Sequence, residues 1–166
     1  KGFNITNGVQ STTMEDIDLA GLQSAPQAST YFNLGANLNA AATAAATFSS
    51  PITLYSSVGS TVTLNLGFTK VAGANKWTFA ATSSLGSITA GASGSVSFDA
   101  NGQLSQVNGA TAADHSFTLD FSSADPPANE MTLNWDLVDS SGATHGKLTG
   151  FAAASNNNAM IQDGFT

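Results

Sequence analysis

Every second residue of the segment 61–69, which reads TVTLNLGFT, is apolar, and threonine, asparagine or glycine stands between them. A period of two is typical of an extended strand with one buried and one solvent-facing side. The same alternation returns in three further segments, at residues 76–82, 116–121 and 131–137. The sequence therefore predicts an all-β chain: an antiparallel β-sandwich or β-barrel of about eight to ten short strands, with no substantial helix.

Glycine, asparagine and proline mark the turns between these strands. Gly59 is placed to supply the positive φ that a hairpin turn requires, and Asn101-Gly102 between two alternating runs is the strongest short hairpin signal. Pro51 is expected to open a strand after an alanine-rich linker over residues 40–50. Residues 83–95 are rich in glycine, serine and threonine, and the tail from residue 148 onward is only weakly patterned.

The charge content excludes several classes of partner. Only 9% of the 166 residues are charged, against a typical value of about 25%, and the net charge is −7. The four basic residues are scattered lysines, too few to build the positive surface that nucleic acid or anionic lipid requires. The chain has no cysteine, so it makes no disulfide, and no apolar run approaches the length of about 20 residues that a membrane helix needs.

The two histidines are weak candidates for catalysis or metal binding. His115 follows Asp114, a pairing found in metal and acid–base sites, but no second histidine lies two or four residues away. His145 stands between Thr144 and Gly146 and is interpreted as a turn residue. We expect His115 to be an ordinary surface residue at the start of its strand.

The carboxylates also give no catalytic pattern. Asp120 and Asp136 lie on the polar side of their strands, where a solvated carboxylate is the default, and Glu130 has no evident partner for glycoside hydrolysis. The acidic cluster of Glu15, Asp16 and Asp18 is interpreted as a solvated turn or a short helix start.

A calcium loop and an exposed aromatic site are also disfavoured. Asp99-x-Asn101-Gly102 resembles the start of a calcium loop, but the twelfth position, which would need a bidentate acid, is Ala110. Trp77 and Trp135 are in phase with the apolar faces of their strands, so we expect them in the core rather than stacked on a sugar ring. The sequence predicts no enzyme, no cofactor and no metal site.

Residues 51–81 carry a more specific pattern, which resembles the central segment of bacterial flagellar hook proteins. That family shows a strand ending in Val-Tyr-Asp-Ser-x-Gly-Asn, an alternating strand ending in aromatic-x-Lys, and a loop with Asn before a Trp. The matching residues are Tyr55, Ser57, Gly59, Phe68, Lys70, Asn75 and Trp77. Ser56 replaces the family's Asp, and Ser60 replaces its Asn after Gly. The segment 94–104 is similar to the family's next hairpin, through Phe98, Asp99, Asn101 and Gly102.

The resemblance implies a structural role, in which Tyr55, Gly59, Phe68, Lys70, Trp77, Phe98, Asn101 and Gly102 maintain the fold. Hook protein polymerises outside the cell into a tube that acts as a universal joint between motor and filament. The implied partners are other copies of the chain and other flagellar axial proteins. Rod and hook-cap proteins share related domains and are the alternative members of the same family. A carbohydrate- or protein-binding β-sandwich module of an extracellular protein is the alternative.

The resemblance also implies a division of the chain. Residues 1–28 are expected to flank the domain and to belong to a preceding domain, residues 29–158 to form the hook-type β-domain, and residues 159–166 to return to the preceding domain. The chain starts in what reads as the middle of a strand, so we expect a fragment of a longer protein.

Overall fold

The computed structural model describes residues 1–6, 8–16, 24–145 and 147–165, and within these ranges the chain forms strands and no helix. No helix long and apolar enough to cross a bilayer therefore occurs in them. Fourteen strands are described, more than the eight to ten expected, because several are only two to four residues long. They are β1 Gly2–Thr6, β2 Val9–Glu15, β3 Tyr31–Asn37, β4 Thr47–Tyr55, β5 Thr61–Lys70, β6 Lys76–Ser83, β7 Ser87–Ala90, β8 Ser93–Phe98, β9 Leu104–Val107, β10 Ala110–Thr111, β11 His115–Asp120, β12 Met131–Trp135, β13 Leu148–Thr149 and β14 Asn156–Gln162.

Six strands form an antiparallel sheet, which we call the long sheet, in the order β10-β9-β8-β6-β5-β4. Its longest strand, β5, lies next to the edge strand and pairs with β4 from Thr61 to Thr69 and with β6 from Leu64 to Lys70. The predicted alternation is confirmed, because Val62, Leu64 and the other apolar residues of β5 are buried and the threonines between them are partly or fully exposed. One face of the long sheet therefore belongs to the core and the other faces outward.

The second sheet, which we call the mixed sheet, has the order β13-β3-β12-β11-β7, with β14 on the other side of β3. β3 pairs in parallel with β12 and with β13, so the purely antiparallel arrangement expected from the sequence is corrected here. A parallel pair needs a long connection, and the chain supplies one by building all six strands of the long sheet between β3 and β12. Local sequence patterns carry no signal for such a distant pairing.

The two sheets meet through a cluster of aromatic rings. Trp135 on β12 lies 5.9 Å from Phe32 on β3, and it contacts Phe68 and Phe79 of the long sheet at 6.1 and 5.5 Å between ring centroids. All four side chains are at most 2% exposed. The expected all-β, sandwich-like fold is therefore confirmed, and the core lies between the sheets.

Pro51 does not open its strand, as the sequence suggested, but lies in the middle of β4, which already begins at Thr47. β4 is the last strand of the long sheet and has one hydrogen-bonded neighbour. A proline lacks the N–H of a ladder hydrogen bond, and an edge strand tolerates that loss. Part of the expected alanine-rich linker is therefore strand.

Strands β7, β13 and β14 lie in segments where the sequence showed no clear period. β14, with the sequence NNNAMIQ, is exposed along almost its whole length and is held by antiparallel pairing with β3. Its register shifts between Asn157 and Ala159, opposite Gly35, where an added Cβ would come within 3.2 Å of the Ala159 nitrogen. The extra residue of this bulge, Asn158, therefore lies in β14, the strand that pairs with Gly35.

Strands β1 and β2 form a separate two-stranded sheet. Asp18, in the expected acidic turn, lies outside the described residues. β14 runs from Asn156 to Gln162, through the expected boundary between residues 158 and 159, so the division into domains stays a prediction.

Candidate functional site

Lys70 and Trp77 of the hook-type pattern meet at one end of the long sheet, which we call the far end. They are directly paired across β5 and β6. The Lys70 ammonium lies 5.7 Å from the centre of the Trp77 ring and donates a hydrogen bond of 2.6 Å to the Ala74 carbonyl. Lys70 is only 6% exposed, and burial lowers the pKa of its amine below the ordinary value.

The β8–β9 hairpin turn lies at the same end. Asp99 accepts backbone hydrogen bonds from Asn101 and Gln103, and Gly102 has a φ of +74°, so the predicted Asn-Gly hairpin is confirmed. These bonds occupy the Asp99 carboxylate in a turn. The resemblance to a calcium loop is therefore explained by local hydrogen bonding.

The segment after β13 contacts two turns at the far end, the β5–β6 turn over residues 71–75 and the β8–β9 turn over residues 99–103. Gly150 donates to the Gly102 carbonyl at 2.9 Å, and its own carbonyl accepts from the Asn75 side chain at 2.9 Å. An added Cβ on Gly150 would lie 2.5 Å from the Phe98 ring, so the backbone passes directly over that ring. Five of the eight pattern residues, together with Asn75, therefore form one packed end; they are Lys70, Trp77, Phe98, Asn101 and Gly102.

Tyr55 and Gly59 lie at the opposite end of β5, about 30 Å from Lys70 at the usual rise per strand residue. Gly59 has a φ of +81°, which confirms the positive φ predicted for this turn. Tyr55 exchanges backbone contacts with Ser29: its carbonyl accepts from the Ser29 N–H at 2.9 Å and its N–H donates to Ser29 Oγ at 3.1 Å. Phe68, the eighth pattern residue, is buried within β5.

The chain enters and leaves the sandwich at this second end, which we call the base. Gln27 and Phe165 form an antiparallel bridge with two hydrogen bonds of 3.0 Å. Asp163 accepts hydrogen bonds from the backbone N–H groups of Thr30 and Tyr31 at 2.8 and 3.2 Å, and from the Thr30 hydroxyl. The two passages of the chain are thus fixed side by side.

The electrostatics of Asp163 favour this arrangement. Burial alone would raise the pKa of its carboxyl, but the hydrogen bonds from Thr30 and Tyr31 outweigh it, and the pKa lies below its usual value. Ser29, which is fully buried, adds a hydrogen bond of 2.8 Å from its hydroxyl to the Gln162 side chain. Sequence reasoning missed both residues, because each acts on a partner more than 130 positions away.

The histidines are engaged in structural contacts. The Nε2 atom of His115 lies within hydrogen-bond distance of the Gly91 carbonyl oxygen, at 2.9 Å, and its Nδ1 atom lies 3.3 Å from the Asn108 amide nitrogen. The centre of its ring is 5.0 Å from that of Phe79. His145 lies 3.0 Å from an Asp136 oxygen. His115 is therefore half-buried against aromatic rings rather than a plain surface residue, because its position at the start of β11 places it beside Phe79 and Phe117.

Asp114 does not face His115 but supports the end of β12. Its carboxylate accepts hydrogen bonds from Asn134 and from the backbone of Leu137 and Val138. Burial would raise the pKa of Asp114, but these bonds lower it below its usual value. The described residues contain no group of three or more histidine and acidic side chains able to hold a metal ion.

The tryptophans cannot form a binding platform. Trp77 and Trp135 are 1% and 0% exposed, as the sequence predicted. They therefore lie out of reach of the aromatic stacking that the alternative carbohydrate-binding function would use.

Most side chains on the outward face of the long sheet are small and uncharged, and Lys76 lies on it at the start of β6. One row across four strands is formed by Thr47, Thr69, Thr78 and Ser95. The next outward-facing row, two residues along each strand, is formed by Ser49, Gly67, Ala80 and Ser93. A flat face of this composition offers water-bridged polar contact and little fixed charge.

Comparison with known proteins decides the family. The model of the flagellar basal body protein FlaE D2 domain matches residues 21–165. The chain belongs to this D2 domain family. The resemblance to hook proteins found in the sequence is thereby confirmed.

The D2 domain also resembles a solved structure, a 32 kDa fragment of the flagellar hook protein FlgE from Caulobacter crescentus, with a TM-score of 0.56 and 20% identity. The match covers 70% of this chain and 46% of that fragment, so the chain spans less than half of that fragment's length. At this identity the likeness shows the fold. No curated protein sequence gave a significant match.

Proposed function

We propose that this D2 domain is a structural part of the bacterial flagellar hook, outside the cell, within a longer parent protein that assembles into a tube with copies of itself. The family match over residues 21–165 is the observation that carries this proposal. In this proposal the tube acts as a universal joint between motor and filament, and other axial proteins of the flagellum are further partners. The domain has no catalytic task in it.

The base of the sandwich supports the role of a side domain on such a protein. Because Gln27 and Phe165 are paired, the whole sandwich leaves and rejoins the rest of the chain at one point. The expected flanking segments, residues 1–28 and 159–166, would then connect it to a preceding domain, with residues 159–162 remaining in the mixed sheet as part of β14. Domains inserted in this way can project from a body without interrupting it.

The long sheet supports contacts that can shift. Its outward rows of threonine, serine, glycine and alanine carry no charged pair among the described residues. Strong ion pairs would favour one register between neighbouring copies, whereas small polar groups exchange water-bridged contacts at low cost. Where faces of neighbouring copies slide past one another as the joint bends, contacts of the second kind are needed, and this face offers them.

The test is to remove the domain at its base. Because Gln27 and Phe165 are paired, residues 28–164 of the parent protein can be replaced by a short glycine linker that spans the same gap. We expect tubes that still form but lose their regular curvature in electron micrographs, and cells that swim poorly. Hooks of unchanged curvature in normally motile cells would contradict the proposal.

A further inference from the structure

The described residues contain one buried cation without a counter-ion, Lys70 at the far end. Its ammonium can donate three hydrogen bonds, and within the described part of the chain it donates one, to the Ala74 carbonyl. No carboxylate of the described residues lies within ion-pair distance of it, since the two ion pairs found there join other residues. An ammonium with two unused donors attracts a carboxylate that can reach it, so this site can accept an anionic group from outside the domain.

Lys70 lines an open pocket of about 370 Å³. One wall is formed by the alanine-rich segment, through Ala40, Ala42 and Ala44, and the other by the turn from Val71 to Asn75. Apart from Lys70 the pocket is lined by uncharged residues. Its volume and its one cation suit a carboxylate carried on a short aliphatic stem.

Two acidic side chains of the domain likewise lack a partner among the described residues. Seven of those described accept hydrogen bonds or join an ion pair: Asp16, Asp99, Asp114, Asp120, Asp136, Asp139 and Asp163. Asp125 and Glu130 make no such contact with the described residues, and both are exposed. Both lie in the loop between β11 and β12.

This acidic loop lies at the base, at the opposite end of the domain from Lys70. The Asn129 N–H donates to Ser57 Oγ at 3.0 Å, which fixes the loop beside the β4–β5 turn. β5 separates that turn from Lys70 by about 30 Å. Within one domain the unpaired carboxylates therefore cannot reach the unpaired ammonium.

We propose that the Lys70 pocket binds the carboxylate of Glu130 from a second copy of the chain, in a head-to-tail contact. Glu130 is favoured over Asp125 because its longer stem reaches further into a pocket and because Asp125 is followed by two prolines. A contact between different surfaces of identical copies repeats without closing unless its rotation closes a ring, and so builds a helical array. The inference rests on the proposed assembly and names one contact within it.

The contact is tested by zero-length carbodiimide crosslinking of assembled tubes of the parent protein, grown from a mixture of ¹⁵N-labelled and unlabelled copies. This reagent joins an amine and a carboxylate only where the two are in contact. We expect a Lys70–Glu130 peptide of mixed isotope composition, lost in Glu130→Gln. Tubes in which Lys70 is joined to another carboxylate, to another protein or to none would overturn the inference and leave the proposed function intact.

A variant gives an independent measure of the same contact. Lys70→Met keeps the aliphatic stem against Trp77 and removes the charge. We expect it to raise the critical concentration for assembly about tenfold or more, while the unassembled protein keeps the wild-type tryptophan emission. Lys147→Met, a change at an exposed lysine, is the matched control and should leave assembly unchanged.

Equal critical concentrations for Lys70→Met and Lys147→Met would contradict the proposed contact. Failure of the wild-type parent protein to assemble would instead contradict the proposed function itself. If Lys70→Met changes the tryptophan emission, its fold is disturbed, and Glu130→Gln, a change at an exposed residue, becomes the deciding variant. We expect Glu130→Gln to raise the critical concentration about tenfold or more as well. An unchanged critical concentration for Glu130→Gln would then contradict the contact.

Discussion

Trp135 is the residue through which the two sheets depend on each other, because its ring contacts Phe32 on one side and Phe68 and Phe79 on the other. Replacing it with alanine leaves a cavity between the sheets. We expect Trp135→Ala to lower the free energy of unfolding by about 3–5 kcal/mol, measured by urea denaturation. Tyr31→Ala, at a side chain that is 39% exposed, is the control. A loss below about 1 kcal/mol for Trp135→Ala would contradict the central position of this ring.

Asp163 makes the stability of the base depend on pH. Its pKa is lowered in the folded state, so the stabilisation is present above the ordinary value of 3.8 and is lost as the pH falls through the folded pKa. We expect Asp163→Ala to lower the free energy of unfolding by about 1–2 kcal/mol at pH 7. The difference in this free energy between the wild type and the variant should become smaller as the pH falls below 3.8. The measurement is denaturation across a pH series, with Glu130→Ala as the control. A difference that stays constant into strong acid would argue against these hydrogen bonds.

At the scale of elements, the β8–β9 turn shows how the far end is held together. Gly102 has a φ of +74°, and an added Cβ would lie 2.6 Å from the Phe151 ring. Gly109 has a similar φ of +80° with nothing within 4 Å of such a Cβ. We therefore expect Gly102→Ala to lower the melting temperature more than Gly109→Ala, because only the first adds a clash to the backbone strain of about 1–2 kcal/mol. Equal decreases in the melting temperature of the two variants would contradict this prediction, because they would mean that the Phe151 ring moves aside without cost.

The elements that the sequence predicted well are those whose own side chains divide between core and solvent. β5, β6 and β12 alternate visibly because each buries one face. β14 was missed because backbone pairing with β3 holds it while its side chains stay exposed. The parallel pairing of β3 with β12 was missed because it joins residues about a hundred positions apart, and no local period reports such a contact.

The candidate site divides in the same way. The turn residues Gly59 and Gly102 and the buried tryptophans were found because local conformation or strand phase determines them. Ser29 and Asp163 were not, since their importance comes from partners across the base. Lys70 was found through the family pattern, but its burial and its lack of a carboxylate within the described residues emerged only from the structure.

At the scale of the whole molecule, the domain is a sandwich with an outer face of mostly small uncharged side chains, a base where the chain enters and leaves, and a far end where Lys70 has no counter-ion among the described residues. In the proposed assembly, the outer face and the far end contact neighbouring copies, and the base joins the domain to the rest of its own chain. The proposed hook role therefore depends on contact between domains rather than on any chemistry within one.

The most direct measurement is a cryo-electron-microscopy reconstruction of the tube formed by the parent protein, at a resolution that separates strands. We predict that this domain lies on the outside of the tube and touches neighbouring copies of itself, with the far end of one copy against the β11–β12 loop of the next. Domains that stand clear of their neighbours on every side would contradict the account.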